Sequence, residues 1–143
     1  MKDIELPLRT GYFNLLNGIV VDGKSIPVFD MQAPFPEQTP YIIIEGILPI
    51  SGNTKDSFGY EVTVDLLIYT SFQGDFGGRK SGDLIANAVL GLVIPTPGKS
   101  GVSAAGFNVY MAKHVGSNPE MSSSDTKRTY RKRLTIEHLA EQL

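Results

Sequence analysis

Gly18-Ile19-Val20-Val21-Asp22-Gly23-Lys24-Ser25 satisfies the letter of a phosphate-binding loop: a glycine, four residues, then Gly-Lys-Ser. Such a loop cradles phosphate with backbone N–H groups between a buried strand and the start of a helix. Here β-branched strand formers fill the middle, and Ile26-Pro27-Val28 follows, which does not open a helix comfortably. A second Gly-Lys-Ser at Gly98–Ser100 has Val93 where the first glycine belongs. Both segments read as turns rather than nucleotide sites. His114 and His138 are the only histidines, and their spacing does not place several metal ligands on one face, so each is expected on a strand surface. No serine sits in a Gly-x-Ser-x-Gly elbow. Glu61 and Asp65 share the polar side of one alternating segment without the Glu-x-Lys that would complete a nuclease metal site. We therefore expect no catalytic residue, no metal ligand and no cofactor.

The most concentrated chemistry is charge. Lys127, Arg128, Arg131, Lys132 and Arg133 place five of the 13 Lys and Arg residues in one short window, leaving eight to face 15 acidic residues elsewhere. An acidic body with a basic band suits contact with an acidic partner or another copy's acidic face. A solvated strand face carrying alternating Lys and Arg is the plainer reading. A nucleic-acid-binding module is another, because Tyr130 is interleaved with the cations and aromatic rings stack on bases. The net charge of −2 weighs against it. A small enzyme or ligand-binding domain with a pocket at a sheet edge is a further alternative.

These residues need a scaffold, and 143 residues without cysteine supply one. A chain of this size buries roughly 68 to 70% of its unfolded surface, enough for a core without disulfides or structural zinc. Apolar runs such as Tyr41–Ile44 fall far short of a membrane span, and no basic stretch leads into an apolar block at the start. Cytosolic origin is the expectation. Fifteen glycines and nine prolines favour a fold with many turns.

Leu8, Tyr12, Leu15 and Leu16 share a helical face, with Pro7 tolerated in the first turn and Gly18 suited to ending it. Ile19–Val21 and Ile26–Phe29 flank Asp22-Gly23-Lys24, a strong hairpin signal. Residues 30–40 form a Pro-rich connector. Strands follow at Tyr41–Leu48 and Tyr60–Thr70. In the second, Tyr60, Val62, Val64, Leu66 and Ile68 face one side, and Glu61, Thr63 and Asp65 the other. After a Gly-rich link at 74–82, Leu84, Ile85, Ala88, Val89 and Leu92 predict a helix over Asp83–Leu92, with Ser81 or Asp83 as cap. Phe107–Val115 alternates Phe107, Val109 and Met111 against Asn108, Tyr110 and Ala112, and Thr126–His138 reads as the last strand. The loops 51–59, 95–106 and 116–125 are expected to be flexible, the second too poor in apolar residues to pack. The fold expected is α+β: one domain over 1–143, with a mostly antiparallel sheet of about four to six strands flanked by two helices. With helices on one face, Tyr41, Ile43, Ile47, Leu67, Tyr69 and Tyr110 would project from the other as an apolar surface for association, unless the hairpin or the 30–40 connector folds over it.

This order of elements resembles the tail-completion or tail-terminator proteins of long-tailed bacteriophages, of the lambda tail terminator kind. The Pro40-Tyr41-Ile42-Ile43-Ile44 start of a strand and the Val64-Asp65-Leu66-Leu67-Ile68-Tyr69-Thr70 strand before a helix near Gly82 carry the likeness, which spans about Leu6 to Leu139. The 74–82 link and the long 95–106 loop depart from the usual pattern.

The resemblance implies a structural virion protein, assembled in the host cytoplasm. It would form a ring, typically a hexamer, that caps the head-proximal end of the tail tube, ends tube growth and offers the surface for head joining. It implies no catalysis and no cofactor. Partners would be further copies of the chain, the tail tube protein and the head–tail connector, with no membrane and with DNA only passing through the lumen. The expected interface residues are Lys127, Arg128, Arg131, Lys132 and Arg133 together with Tyr41, Ile43, Tyr69 and Tyr110. Glu61, Asp65 and Asp75 are candidate acidic counterparts.

Overall fold

The computed structural model describes residues 1–33, 39–73, 79–123 and 127–143. Its elements are α1 (Glu5–Leu16), β1 (Ile19–Val21), β2 (Lys24–Ile26), β3 (Val28–Asp30), β4 (Tyr41–Ser51), β5 (Gly59–Gln73), α2 (Lys80–Val93), β6 (Phe107–Ser123) and β7 (Lys127–Gln142). Strands β3 to β7 form one sheet in the order β3-β4-β5-β7-β6, and β1-β2 is a separate hairpin. Only the β3–β4 pair is parallel. The α+β class expected from the sequence is the one observed.

The alternation read in β5 holds. Tyr60, Val62, Val64, Leu66 and Ile68 are all buried and meet Ile42, Ile44, Ile47, Leu134, Ile136 and Ala140 from the flanking strands in one core. Both helices cover that face. Helix α1 contributes Leu8, Tyr12 and Leu16, at the spacing its sequence predicts. Helix α2 is longer than expected and rotated. Its buried residues are Gly82, Ile85, Ala86, Val89 and Val93, while Leu84 and Leu92 are exposed. Two overlapping apolar stripes exist in this helix, and the sheet takes the one through Ala86 and Val93. Neither Ser81 nor Asp83 caps it; the N-cap residue is Arg79, without a side-chain cap bond.

Three strand readings need correction. The hairpin turns at Asp22 and Gly23, both with positive φ, the signature of a two-residue turn that matches strand twist. Its second strand, however, ends at Ile26, because Pro27 has no N–H to continue the ladder. Val28–Asp30 instead joins the main sheet parallel to Ile42–Ile44, with Val28 N–H donating to Asn17 Oδ1 at 3.0 Å. Gly18 therefore follows a helix and enters a hairpin, the opposite of a phosphate-loop setting. In β6 the strand runs on to Ser123 where a flexible turn over 116–125 was expected, since β7 supplies backbone partners as far as the Ser123↔Arg128 pair. Ser124 and Asp125 lie outside the described residues, as do Thr126, most of the 74–82 link and residues 34–38 of the connector. Finally, bulges displace the alternation. An extra residue at Glu45 returns Ile47 to the core face, and another at Tyr110 moves Met111 to the far face and buries Ala112 instead.

The 95–106 loop packs, against expectation. Val102 and Ala104 belong to the core, and Gly101 N–H donates to Val93 O at 2.7 Å. Two glycines make this approach possible. A Cβ on Gly11 would lie 1.9 Å from Ser103 O, and one on Gly101 would lie 2.0 Å from Leu92 O. Gly11→Ala and Gly101→Ala are therefore each expected to destabilise the fold by about 2 to 4 kcal/mol, because backbone must move away from backbone. Gly23→Ala, at a positive φ in open space, should cost about 1 kcal/mol. Urea unfolding of the three variants gives the ranking.

Candidate functional site

With the helices on one face, the question is what closes the other. Strand β5 places Glu61, Thr63, Asp65, Leu67 and Tyr69 there, and register brings Tyr41 opposite Tyr69 and Ile43 opposite Leu67 from β4. From β7, Arg131 lies opposite Tyr69 and Arg133 opposite Leu67. Five of the expected interface residues, Tyr41, Ile43, Tyr69, Arg131 and Arg133, thus share one patch. Tyr41 and Tyr69 stack at 5.0 Å between ring centroids, and Phe29 of β3 meets Tyr41 edge-on at 5.9 Å. Ile43 and Leu67 are buried, at 6% and 4% exposure, although among the described residues no helix lies on this side. Their cover is local. Arg133 reaches from β7 past Leu67 to a charge-assisted bond with Glu45 at the β4 bulge, so its aliphatic stem roofs the apolar pair. The apolar face expected to be open is therefore largely closed by its own rings and an ion pair, with β3 rather than the hairpin lending the extra aromatic.

The remaining expected residues lie elsewhere. Arg128 and Lys132 alternate with Arg131 and Arg133 and so belong to the helix side of β7. Lys132 Nζ is 2.6 Å from Asp83 Oδ1 in the first turn of α2. Arg131 pairs with Glu120 across the β6–β7 ladder. Lys132, Arg131 and, with Glu45, Arg133 are thus each matched by a carboxylate of the same chain. Lys127 takes its place opposite Gln73. Tyr110 sits at a bulge in β6, three strands away from Tyr41 and half exposed. Of the acidic candidates, Asp65 accepts a hydrogen bond from Thr135 at 2.7 Å, and Asp75 lies outside the described residues. Glu61 crowds Glu137 on the same face. Their hydrogen bond and mutual repulsion raise the Glu61 carboxyl above its ordinary range.

Sequence reasoning missed His138. It is fully buried, not a strand-surface residue, and it is hydrogen-bonded to the hydroxyl of the equally buried Tyr12. Desolvation lowers its pKa to about 4, against a small opposing contribution from the Met111 backbone. Desolvation also raises the Tyr12 phenol well above its usual value, so both members stay neutral. The signal was present: His138 is in phase with Leu134, Ile136 and Ala140. A polar cleft lies between the hairpin, the end of β5 and α2, lined among others by Lys24, Thr39, Thr70, Ser71 and Ser81. It is where a small-molecule reading would have to place its ligand. Among the described residues no three His, Cys, Asp or Glu side chains converge as a metal site, and no helix is long and apolar enough to cross a membrane.

No protein-family model and no curated protein matches the chain. Among solved structures, a chain from the virion of a native gene transfer agent particle matches with a TM-score of 0.70, covering 94% of this chain and 94% of that chain at 14% identity. The likeness shows a shared fold over nearly the whole length of both chains.

Two outcomes follow from this geometry. Because the folded His138 binds its proton only near pH 4 while an unfolded histidine does so near 6.5, the unfolded state holds more protons between those values. Its contribution is intact above pH 6.5 and falls as the pH drops toward 4, by on the order of 3 kcal/mol. Unfolding free energies across that range should lose this slope in His138→Gln, while Tyr12→Phe keeps it. For the surface pair, Arg133→Glu should cost about 0.5 to 1 kcal/mol, the modest scale of partly exposed ion pairs. Adding Glu45→Arg should recover most of that loss in a double-mutant cycle.

Proposed function

We propose that this chain is a structural virion protein of a phage-like particle that closes the head-proximal end of a tail tube as a ring. In this reading the ring ends tube growth and presents the surface to which the head joins; the role is assembly, not catalysis. The observation that carries the proposal is the fold shared with a gene transfer agent virion chain over 94% of both lengths. The element order that resembles tail terminators supports the finer role. The patch of Tyr41, Tyr69, Arg131 and Arg133 offers rings and guanidinium groups, residue types favoured in protein interfaces. The internal ion pairs of Arg131, Lys132 and Arg133 favour protein contacts over phosphate binding, because their charge is already answered by carboxylates.

The test is native mass measurement of the purified chain alone and with preformed tail tube. A closed oligomer of defined stoichiometry, or one that appears when tube ends are added, is the expected result. A strict monomer under both conditions overturns the ring. Retention of duplex DNA fragments with a steep salt dependence would instead mark a nucleic-acid-binding module.

A further inference from the structure

The main sheet has two open edges, and they are different. On one side β6 is the outermost strand, and Val115 and Met121 are exposed on it, at 53% and 57%. The first part of that edge is covered by the packed loop, since Ala112 N–H donates to Gly98 O at 3.4 Å; beyond it, Lys113 to Met121 has no strand outside it among the described residues. On the other side β3 pairs with Ile42–Ile44, so among the described residues β4 from Gly46 to Ser51 is also an edge. There Leu48 and Ile50 are exposed at 64% and 57%. Exposed apolar side chains therefore line both edges of one sheet, where an isolated chain gains nothing from them.

Resting on the assembly reading above, we propose that the β6 edge of one copy docks against the β4 edge of the next. Three observations converge on a second copy as the occupant. Strand direction alternates across β4, β5, β7 and β6, so a neighbour placed beside the sheet without being flipped sets its β6 antiparallel to β4. The two edges differ, which makes the contact head-to-tail, the kind that closes into rings. Charge also matches. Lys113, opposite Glu137 of its own chain, is exposed on β6, while beside the β4 edge Glu61 on the same face is crowded by Glu137 and opposite Ile50, so a cation from the neighbour would relieve the repulsion. Pro49 and the bulges at Glu45, Tyr110 and Val115 interrupt both edges. They oppose a continuous backbone ladder, so the contact is carried by side chains: Leu48 and Ile50, on the face away from the helices, against Val115 at its bulge.

The chain has no cysteine, which makes cross-linking clean. Leu48→Cys and Ile50→Cys on one copy would each be mixed with Val115→Cys on another, under oxidising conditions and with tube ends present. A disulfide-linked dimer in a mixture, absent from each variant alone, is the expected result. In parallel, Val115→Lys should lower the assembled fraction about tenfold. Val20→Lys, at a still more exposed valine of the hairpin, should leave it unchanged. If the unmodified chain forms rings but no pair cross-links and Val115→Lys assembles normally, the edge contact is wrong and the ring reading stands. If the unmodified chain never assembles, both fall.

Discussion

Strand β5 is the constraint from which the rest of the molecule follows. It is paired along its whole length with β7 and for most of it with β4, so its two faces have to be satisfied by different means. On one face its apolar residues meet two helices and a packed loop. On the other, the described residues supply no layer of secondary structure. There Leu67 must be hidden by its cross-strand neighbours, and the side chains that do so are Ile43, the Tyr41–Tyr69 stack and the stem of Arg133. An ion pair spanning three strands thus serves as a roof. Its packing contributes beyond its Coulomb energy, which is small at such exposure.

The two faces also differ in how firmly they hold their polar groups. Tyr12 of α1 and His138 are sealed between helix and sheet and bonded to each other, and burial keeps both neutral near neutral pH. Loss of either partner leaves a buried polar atom unpaired, which costs more than the bond itself contributes. The pairs of Arg131 and Arg133 lie at the surface, where water can replace either partner at little cost. One side of the sheet is therefore fixed, and the other can exchange its partners.

How much of this was legible in the sequence depends on whether a pattern is unbroken. Strand β5 has no bulge, and its alternation assigned every core residue correctly. Helix α1 likewise follows its spacing. In β4 and β6 a single extra residue inverts the parity, so Ile47, Met111 and Ala112 fall on the faces opposite to those expected. Local sequence carries only weak signals for such bulges, because they are set by the neighbouring strand. The 95–106 loop was misjudged for a related reason. Its packing depends on glycines at Gly11 and Gly101 that let backbone approach backbone, a property of the distant contact and not of loop composition.

The basic band shows the same limit for the candidate site. Its cations are adjacent in sequence, yet strand alternation sends Arg131 and Arg133 to one face and Lys132 to the other. Their carboxylates come from Glu120, Glu45 and Asp83, separated from them by 11, 88 and 49 positions. No count of charges in a window reveals such neutralisation. It bears on the assembly reading because a partner carboxylate must compete with an existing one, leaving only the difference between two similar bonds. The net gain from such an exchange is small, and electrostatics then sets register and partner choice more than affinity. Affinity has to come from apolar area, and on this sheet the side chains that still expose it stand at the two edges.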